Sequence, residues 1–215
     1  MLVYMLVFRF YIRFSEVENY TIFLFVGLLP WLWVTSALTE GTSSIVGSGH
    51  LITKSLFPPQ ILPIVAVVTN MIHFVLALPI LVVLMVLSGV TFHWTLIFIP
   101  FVILIQFIFL SGFALLLGAV NVHFRDVQHI LGNLLTFLFF LTPILYPAHI
   151  VPERFRFTLQ LNPLALLTQL YQNLIFYGQL PDPMSVLYLS LVAVAALFIG
   201  NLVFNSYRES FAELL

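Results

Sequence analysis

The sequence predicts an all-α membrane protein, a polytopic helical bundle, and three observations point there. First, 62% of its 215 residues are hydrophobic and only 7% are charged, with a mean hydropathy of +1.14. Soluble domains carry roughly a quarter charged residues, so this composition cannot coat a water-facing globule. Second, the charges are segregated: every acidic residue (Glu16, Glu18, Glu40, Asp126, Glu153, Asp182, Glu209, Glu213), together with Lys54, Arg125, Arg154, Arg156 and Arg208, lies between or beyond five uncharged stretches. Third, those stretches run 18 to 28 residues, far beyond barrel strands of about 10. Backbone groups in lipid must be satisfied internally, which leaves helices.

Taken in order, Met1 to Phe14 is apolar but interrupted by Arg9 and Arg13. It is too short to cross, and reads as the end of a truncated first span whose beginning is missing. Five complete spans follow, at 20–39, 61–88, 94–120, 130–147 and 184–204, each near the about 20 residues that cross roughly 30 Å of hydrocarbon. Gly27 with Pro30, Pro63, Pro79 and Pro100 are expected to kink or begin their spans. Ala114 and Gly118 form a small-xxx-small pair through which another helix approaches closely, the alternative being that the glycines only fill tight turns. Asn162-Pro163 and Asp182-Pro183 each place a capping residue before a proline in the first helical turn, so helices start at both.

The segment 148–183 is too polar to span and too apolar for an ordinary loop. Two short amphipathic helices are expected there, re-entrant or at the surface. One starts near Pro152, with Glu153, Arg154 and Arg156 in its first turns. The other covers 163–177, where Leu167, Leu170, Leu174 and Tyr177 repeat at three and four residues and Gln169, Gln172 and Asn173 take other faces. A plain surface loop with helical turns is the alternative. Lysine and arginine do not settle orientation: Lys54, Arg125 and Arg208 fall on one side and Arg13, Arg154 and Arg156 on the other, with Arg9 nearby.

Several chemistries are excluded. With 7 basic against 8 acidic residues the chain cannot neutralise a nucleic-acid backbone. It has no cysteine, hence no disulfide framework, CxxC pair or thiolate metal site. Met1 to Phe8 lacks a basic n-region and no cleavage site follows, so no cleavable signal peptide is expected. No charge lies within the five spans, so energy for uphill transport must come from elsewhere. His73, Asn70 and Gln106 are intramembrane polar groups, expected to bond across helices or face a water-filled cavity rather than relay protons. Lys54-Ser55 has Ser48 and Thr53 where a phosphate-binding loop needs glycine, so the chain cannot cradle ATP in that way. His123, Asp126 and His129 have metal-ligating side chains, but their spacing turns the ends of a helix about 240 degrees apart. They read as a solvated loop. No constellation of hydrolytic residues appears, so the chain is expected not to be an enzyme.

Aromatic residues make up 16% of the chain, and aromatic faces stack on sugar rings. Most phenylalanines in such spans face lipid or neighbouring helices. Trp31 and Trp33 differ, because they sit beside Pro30 in the middle of their span.

Three stretches resemble the membrane subunit of bacterial type-2 ABC exporters for polysaccharides, the family that exports O-antigen, capsule and teichoic-acid chains. The first runs from Gly27-Leu-Leu-Pro-Trp31 through Ser48-Gly-His-Leu-Ile-Thr-Lys54 to Phe57-Pro58 and Leu62-Pro63. The second is Asn121-Val-His-Phe-Arg125-Asp126. The third holds Thr142-Pro143-Ile-Leu-Tyr146-Pro147, Val151-Pro152-Glu153, Leu161-Asn162-Pro163 and Tyr171. Together they cover the chain from about Tyr20 to Gly178 in the family's order.

The resemblance implies a homodimer of six-helix permeases in the bacterial inner (plasma) membrane, with the path for a lipid-linked glycan between the two copies. Two copies of a separate ABC ATPase would hold ATP and magnesium, and this chain would bind no cofactor. By the same likeness 40–60, with Glu40, Ser48, His50, Lys54, Phe57 and Pro58, would be the cytoplasmic segment coupled to the ATPase, and Arg125-Asp126 the second cytoplasmic loop. Trp31, Trp33, Tyr146, Pro147, Glu153, Asn162, Pro163 and Tyr171 would line the path or its outer gate, the two short helices of 148–183. The chain departs from the family's pattern at Gln169 and Gln172, where an acidic residue and an arginine are common, and at Pro59, where a basic residue often follows Phe-Pro. A type-2 ABC permease for a lipid or drug, or a truncated non-transporting remnant, are the alternative readings.

Overall fold

A computed structural model describes residues 19–50 and 58–214; Met1 to Phe14, Lys54 and Phe57 lie outside them. Among the described residues the chain is helical and contains no strand. Helix α1 spans Tyr20–Gly47 and α2 Ile61–Leu87. A 3-10 turn at Trp94–Phe98 leads into α3, Ile99–His123, and α4 spans Val127–Leu141. Then come α5, Glu153–Leu161, and α6, Pro163–Tyr171, which continues as a π-helical turn over Gln172–Tyr177. The last long helix, α7, spans Pro183–Tyr207, and α8 is the short Phe211–Leu214.

Local chemistry sets the starts. The Asn162 side chain accepts from the Leu164 N–H at 3.0 Å and the Asp182 carboxylate from the Ser185 N–H at 2.9 Å, each satisfying a donor that has no partner inside the helix. Pro100 falls in the first turn of α3, where its missing N–H costs nothing. Pro30 and Pro79 lie inside α1 and α2.

Among the described residues four helices are long and apolar enough to cross a membrane: Tyr20–Gly47, Ile61–Leu87, Trp94–His123 and Pro183–Ser210. The stretch expected to cross at 130–147 instead forms the 15-residue α4, about 22 Å at 1.5 Å per residue. It stops because Pro143 disfavours helical backbone at the residue before it, and Thr142 is extended at φ −95°, ψ 134°. The expected boundary at Glu40 also moves. Nothing in 40–47 breaks a helix, so α1 runs on to Gly47, and Glu40, Gly41 and Thr42 belong to it rather than to a loop.

Small residues decide how closely the helices pack, as expected where lipid removes any hydrophobic drive between them. A Cβ on Gly41 of α1 would stand 2.8 Å from the Ala114 Cβ of α3, and one on Gly118 would stand 3.1 Å from the Gly41 carbonyl oxygen. The Ala114–Gly118 pair therefore does admit a neighbouring helix, and that helix is α1. A second crossing places Gly200 of α7 on the backbone of Gly112 in α3, with no room for a Cβ on either. Helix α1 is surrounded by α2, α3, α4 and α6, whereas α7 packs on α3 and α6.

The pair expected in 148–183 divides in character. Helix α5 is exposed along most of its length, with Leu159 its one buried residue. Helix α6 is instead drawn into the bundle: Leu164 to Thr168, Leu170 and Tyr171 are buried, as are Gln172 and Leu174 of the turn that follows. Of the two placements expected for this helix, re-entrant or at the surface, the burial matches the first, and Gln172 has a buried partner there: its side-chain amide donates to the Pro143 carbonyl at 2.7 Å.

Candidate functional site

One face of α1 is left open by its neighbours, and it is polar. Leu32, Thr35, Ser36, Thr39, Glu40 and Ser43 recur at three and four residues, so they share a face. Leu32, Thr39 and Glu40 are exposed and the others partly so. Thr35 donates to the Trp31 and Leu32 carbonyls at 3.2 and 3.1 Å, and Ser43 to those of Thr39 and Glu40 at 3.2 Å each. These hydroxyls are satisfied by their own helix, leaving oxygen lone pairs available to a molecule alongside.

Two cavities flank this face and share Leu32. The larger, about 440 Å³, lies between α1 and α4; Trp31, Thr35, Thr39, Gly132, Thr136 and Phe139 line it. The Trp31 and Phe139 rings are 5.7 Å apart. The other, about 290 Å³, has Ser36, Asn70, His73 and Phe74 in its wall. The combination is aromatic faces beside hydroxyls, a surface that can hold a molecule that is itself half apolar and half hydroxylated.

Trp33 borders the smaller cavity from within the packed bundle. It is 2% exposed, donates its indole N–H to the Val67 carbonyl at 3.2 Å, and stacks on Phe74 at 5.4 Å. Below the open face, buried polar side chains tie the elements together. The Tyr171 hydroxyl donates to Gln106 Oε1 at 2.8 Å, and the Gln106 amide donates to the Pro30 carbonyl at 3.0 Å. The outer helix α6 is thereby fastened to α1 at its proline, one residue from Trp31. At the other end of the groove, Asn70 donates to Glu40 Oε2 at 2.7 Å and to the Ala66 carbonyl at 2.9 Å, and Asn121 donates to the Thr42 carbonyl at 3.0 Å. Asn70 and Gln106 thus bond across helices as expected, while His73 is exposed at the smaller cavity.

Residues 1–176 match the ABC-2 type transporter family. The chain belongs to that family. It is 41% identical over 215 residues to the O-antigen export system permease protein RfbA of Myxococcus xanthus, an alignment covering 99% of this chain and 82% of that protein. It is 30% identical over 216 residues to the O-antigen export system permease protein RfbA of Klebsiella pneumoniae, covering 100% of this chain and 82% of the relative. It is 24% identical over 194 residues to the polysialic acid transport protein KpsM of Escherichia coli, covering 89% of this chain and 75% of that protein. The family, with the four long apolar helices, makes this an integral membrane protein.

Within this ABC-2 chain the remaining sequence-identified residues fall at the two ends of the bundle. At one end, Gln60 donates to Asn205 at 2.9 Å and His123 meets Ser210 at 3.1 Å, bringing the start of α2, the end of α3 and the end of α7 together. Ser48, His50, Pro58, Arg125 and Asp126 lie in the segments leaving that end, and His50, Pro58, Arg125 and Asp126 are exposed. Among the described residues no group of three metal-ligating side chains forms. At the other end, Tyr20 donates to the Leu145 carbonyl at 2.7 Å and Tyr188 to that of Leu161 at 3.2 Å. Tyr146 donates to the Phe140 carbonyl at 3.1 Å beside the buried Pro147. Glu153 pairs with Arg156 at 3.8 Å on the exposed α5, while Tyr171 is fully buried. The expected path residues are therefore not one cluster. Sequence reasoning missed the Thr35–Ser36–Thr39–Ser43 stripe, although its helical spacing inside an apolar span was a visible signal.

Proposed function

We propose that this chain is the permease subunit of an ATP-driven exporter that moves a lipid-linked polysaccharide, of O-antigen, capsule or teichoic-acid type, across the bacterial inner membrane. The observation that carries the reading is the open face of α1, where hydroxyls and aromatic rings line the groove in an otherwise lipid-compatible chain. The names of the relatives, two O-antigen permeases and a polysialic acid transporter, support it.

In this reading two copies of the chain form a homodimer of type-2 permeases, with 130–147 as a further span of each copy, and pair their α1 faces around the glycan. Two copies of an ABC ATPase, holding ATP and magnesium, dock at the end that carries 40–60 and Arg125-Asp126. Closure of the ATPases pushes on the inner end of α1. The Glu40–Asn70 and Asn121–Thr42 contacts pass that movement to α2 and α3, and the Tyr171–Gln106–Pro30 chain links α1 to α6 at the outer end. The test is co-expression with an ABC ATPase from the same genome, purification through a tag on the permease, and assay of bound ATPase and of surface glycan in an export-deficient strain. A stable, active complex that restores surface glycan is expected. Failure to capture the ATPase, or a complex that restores no glycan, overturns the proposal.

A further inference from the structure

A third cavity, about 730 Å³, lies away from the α1 groove, between α3, α6 and α7. Its volume is within the roughly 300–1,000 Å³ of small-molecule sites. Phe98, Phe101 and Leu187 stand exposed at its rim, Leu170 and Leu174 form its floor, and among the described residues Asp182 is the one charged residue lining it. The Ser190 hydroxyl at the deep end already donates to the Val186 carbonyl at 2.8 Å, so the interior presents no unmet polar demand. From Asp182 to Ser190 is eight helical residues, about 12 Å, close to the roughly 15 Å of one hydrocarbon leaflet. The exposed Trp94 at the same end is of a residue type enriched at membrane–water boundaries.

We infer that this groove holds one acyl chain of a phospholipid with an amine headgroup, phosphatidylethanolamine in type, its ammonium beside Asp182. Three features select that occupant. The walls are apolar and open sideways among the described residues, where exposed apolar side chains of α7 face outward. The depth matches one leaflet. The mouth is anionic: the Ser185 backbone N–H at 2.9 Å, then its hydroxyl at 3.0 Å, hold the Asp182 carboxyl below the ordinary carboxylate range, so it is charged at neutral pH. That charge attracts an ammonium and repels phosphatidylglycerol or a polyprenyl phosphate. Because Leu170 of α6 and Leu174 of the π turn form the floor, the chain braces the element fastened to α1 through Tyr171.

The inference needs only that the protein sits in a bilayer, so it stands or falls separately from polysaccharide export. The full chain, purified in mild detergent with phosphatidylethanolamine, phosphatidylglycerol or a polyprenyl phosphate added singly, is examined by native mass spectrometry. Phosphatidylethanolamine is expected to be retained several-fold more than either anionic lipid. Asp182→Asn, whose amide oxygen still accepts from Ser185, is expected to bring the phospholipids to parity. Leu187→Trp, filling the groove, is expected to remove the retained lipid; if that variant does not fold, Leu180→Trp, in the loop at the mouth, makes the same test. Equal retention of all three lipids by the wild type, preference for an anionic lipid, or undiminished retention by the groove-filling variants overturns it.

Discussion

Exchanging the two small residues where α1 crosses α3 tests how the inner end of the groove is held. A Cβ on Gly41 would lie 2.8 Å from that of Ala114, so Gly41→Ala must open the crossing by about 0.6 Å to reach an ordinary 3.4 Å contact. Overpacking of this kind costs about 1–3 kcal/mol, offset by the about 1 kcal/mol that alanine gains over glycine in a helix interior. The net destabilisation expected is about 1 kcal/mol. Ala114→Gly alone loses a similar propensity and leaves a methyl-sized gap, together about 2 kcal/mol. Combined, the exchange puts one methyl back into the same space. The double variant should return to near wild-type stability, with a coupling of about 2–3 kcal/mol against simple addition. Equilibrium unfolding in mixed micelles, followed by tryptophan fluorescence, measures all four proteins. Additive losses in the double variant would refute this account of the crossing.

Other outcomes follow from the same contacts. Gly200→Ala, with the Gly112 backbone where its methyl would stand, should force α7 off α3 and lower folded yield, whereas Gly132→Ala meets open space and should hold or raise stability by up to about 1 kcal/mol; equal yields for the two would contradict the packing. Tyr171→Phe leaves Gln106 Oε1 unpaired in the bundle and should cost about 1–3 kcal/mol, with Gln106→Leu adding less in its presence than alone, as a double-mutant cycle would show. Trp33→Ala should cost about 3–5 kcal/mol and reduce folded protein; Trp31→Ala should reduce glycan export more than assembly, so parallel losses of dimer and export in Trp31→Ala would make it a packing residue too. Lys54→Glu should weaken stimulation of the ATPase by reversing charge in the segment proposed to touch it; unchanged stimulation would rule that role out.

What the sequence by itself determined was everything governed by local chemistry and by the solvent. Charge segregation placed the long helices, and Asn162-Pro163 and Asp182-Pro183 marked starts that their capping bonds bear out. The small pair at Ala114 and Gly118 announced a close crossing. The family likeness was legible too, because its motifs are short runs of neighbouring residues. Boundaries were less so. Glu40 looked like the end of a span, yet a carboxylate bonded to Asn70 can sit inside a helix, and that partner is 30 residues away. Only the tertiary structure decided which polar residues turn inward. Gln172 and Tyr171 have no local reason to be buried; Pro143 and Gln106, brought beside them by the fold, supply the partners that make burial affordable. The same holds for the two tryptophans: two residues apart and both buried, they take different neighbours, Trp31 against Phe139 of α4 at the larger cavity and Trp33 against Val67 and Phe74 of α2 at the smaller. Hydrophobicity says that a segment enters the membrane, but in a chain this apolar it barely distinguishes lipid from protein interior, so packing against specific partners makes that choice.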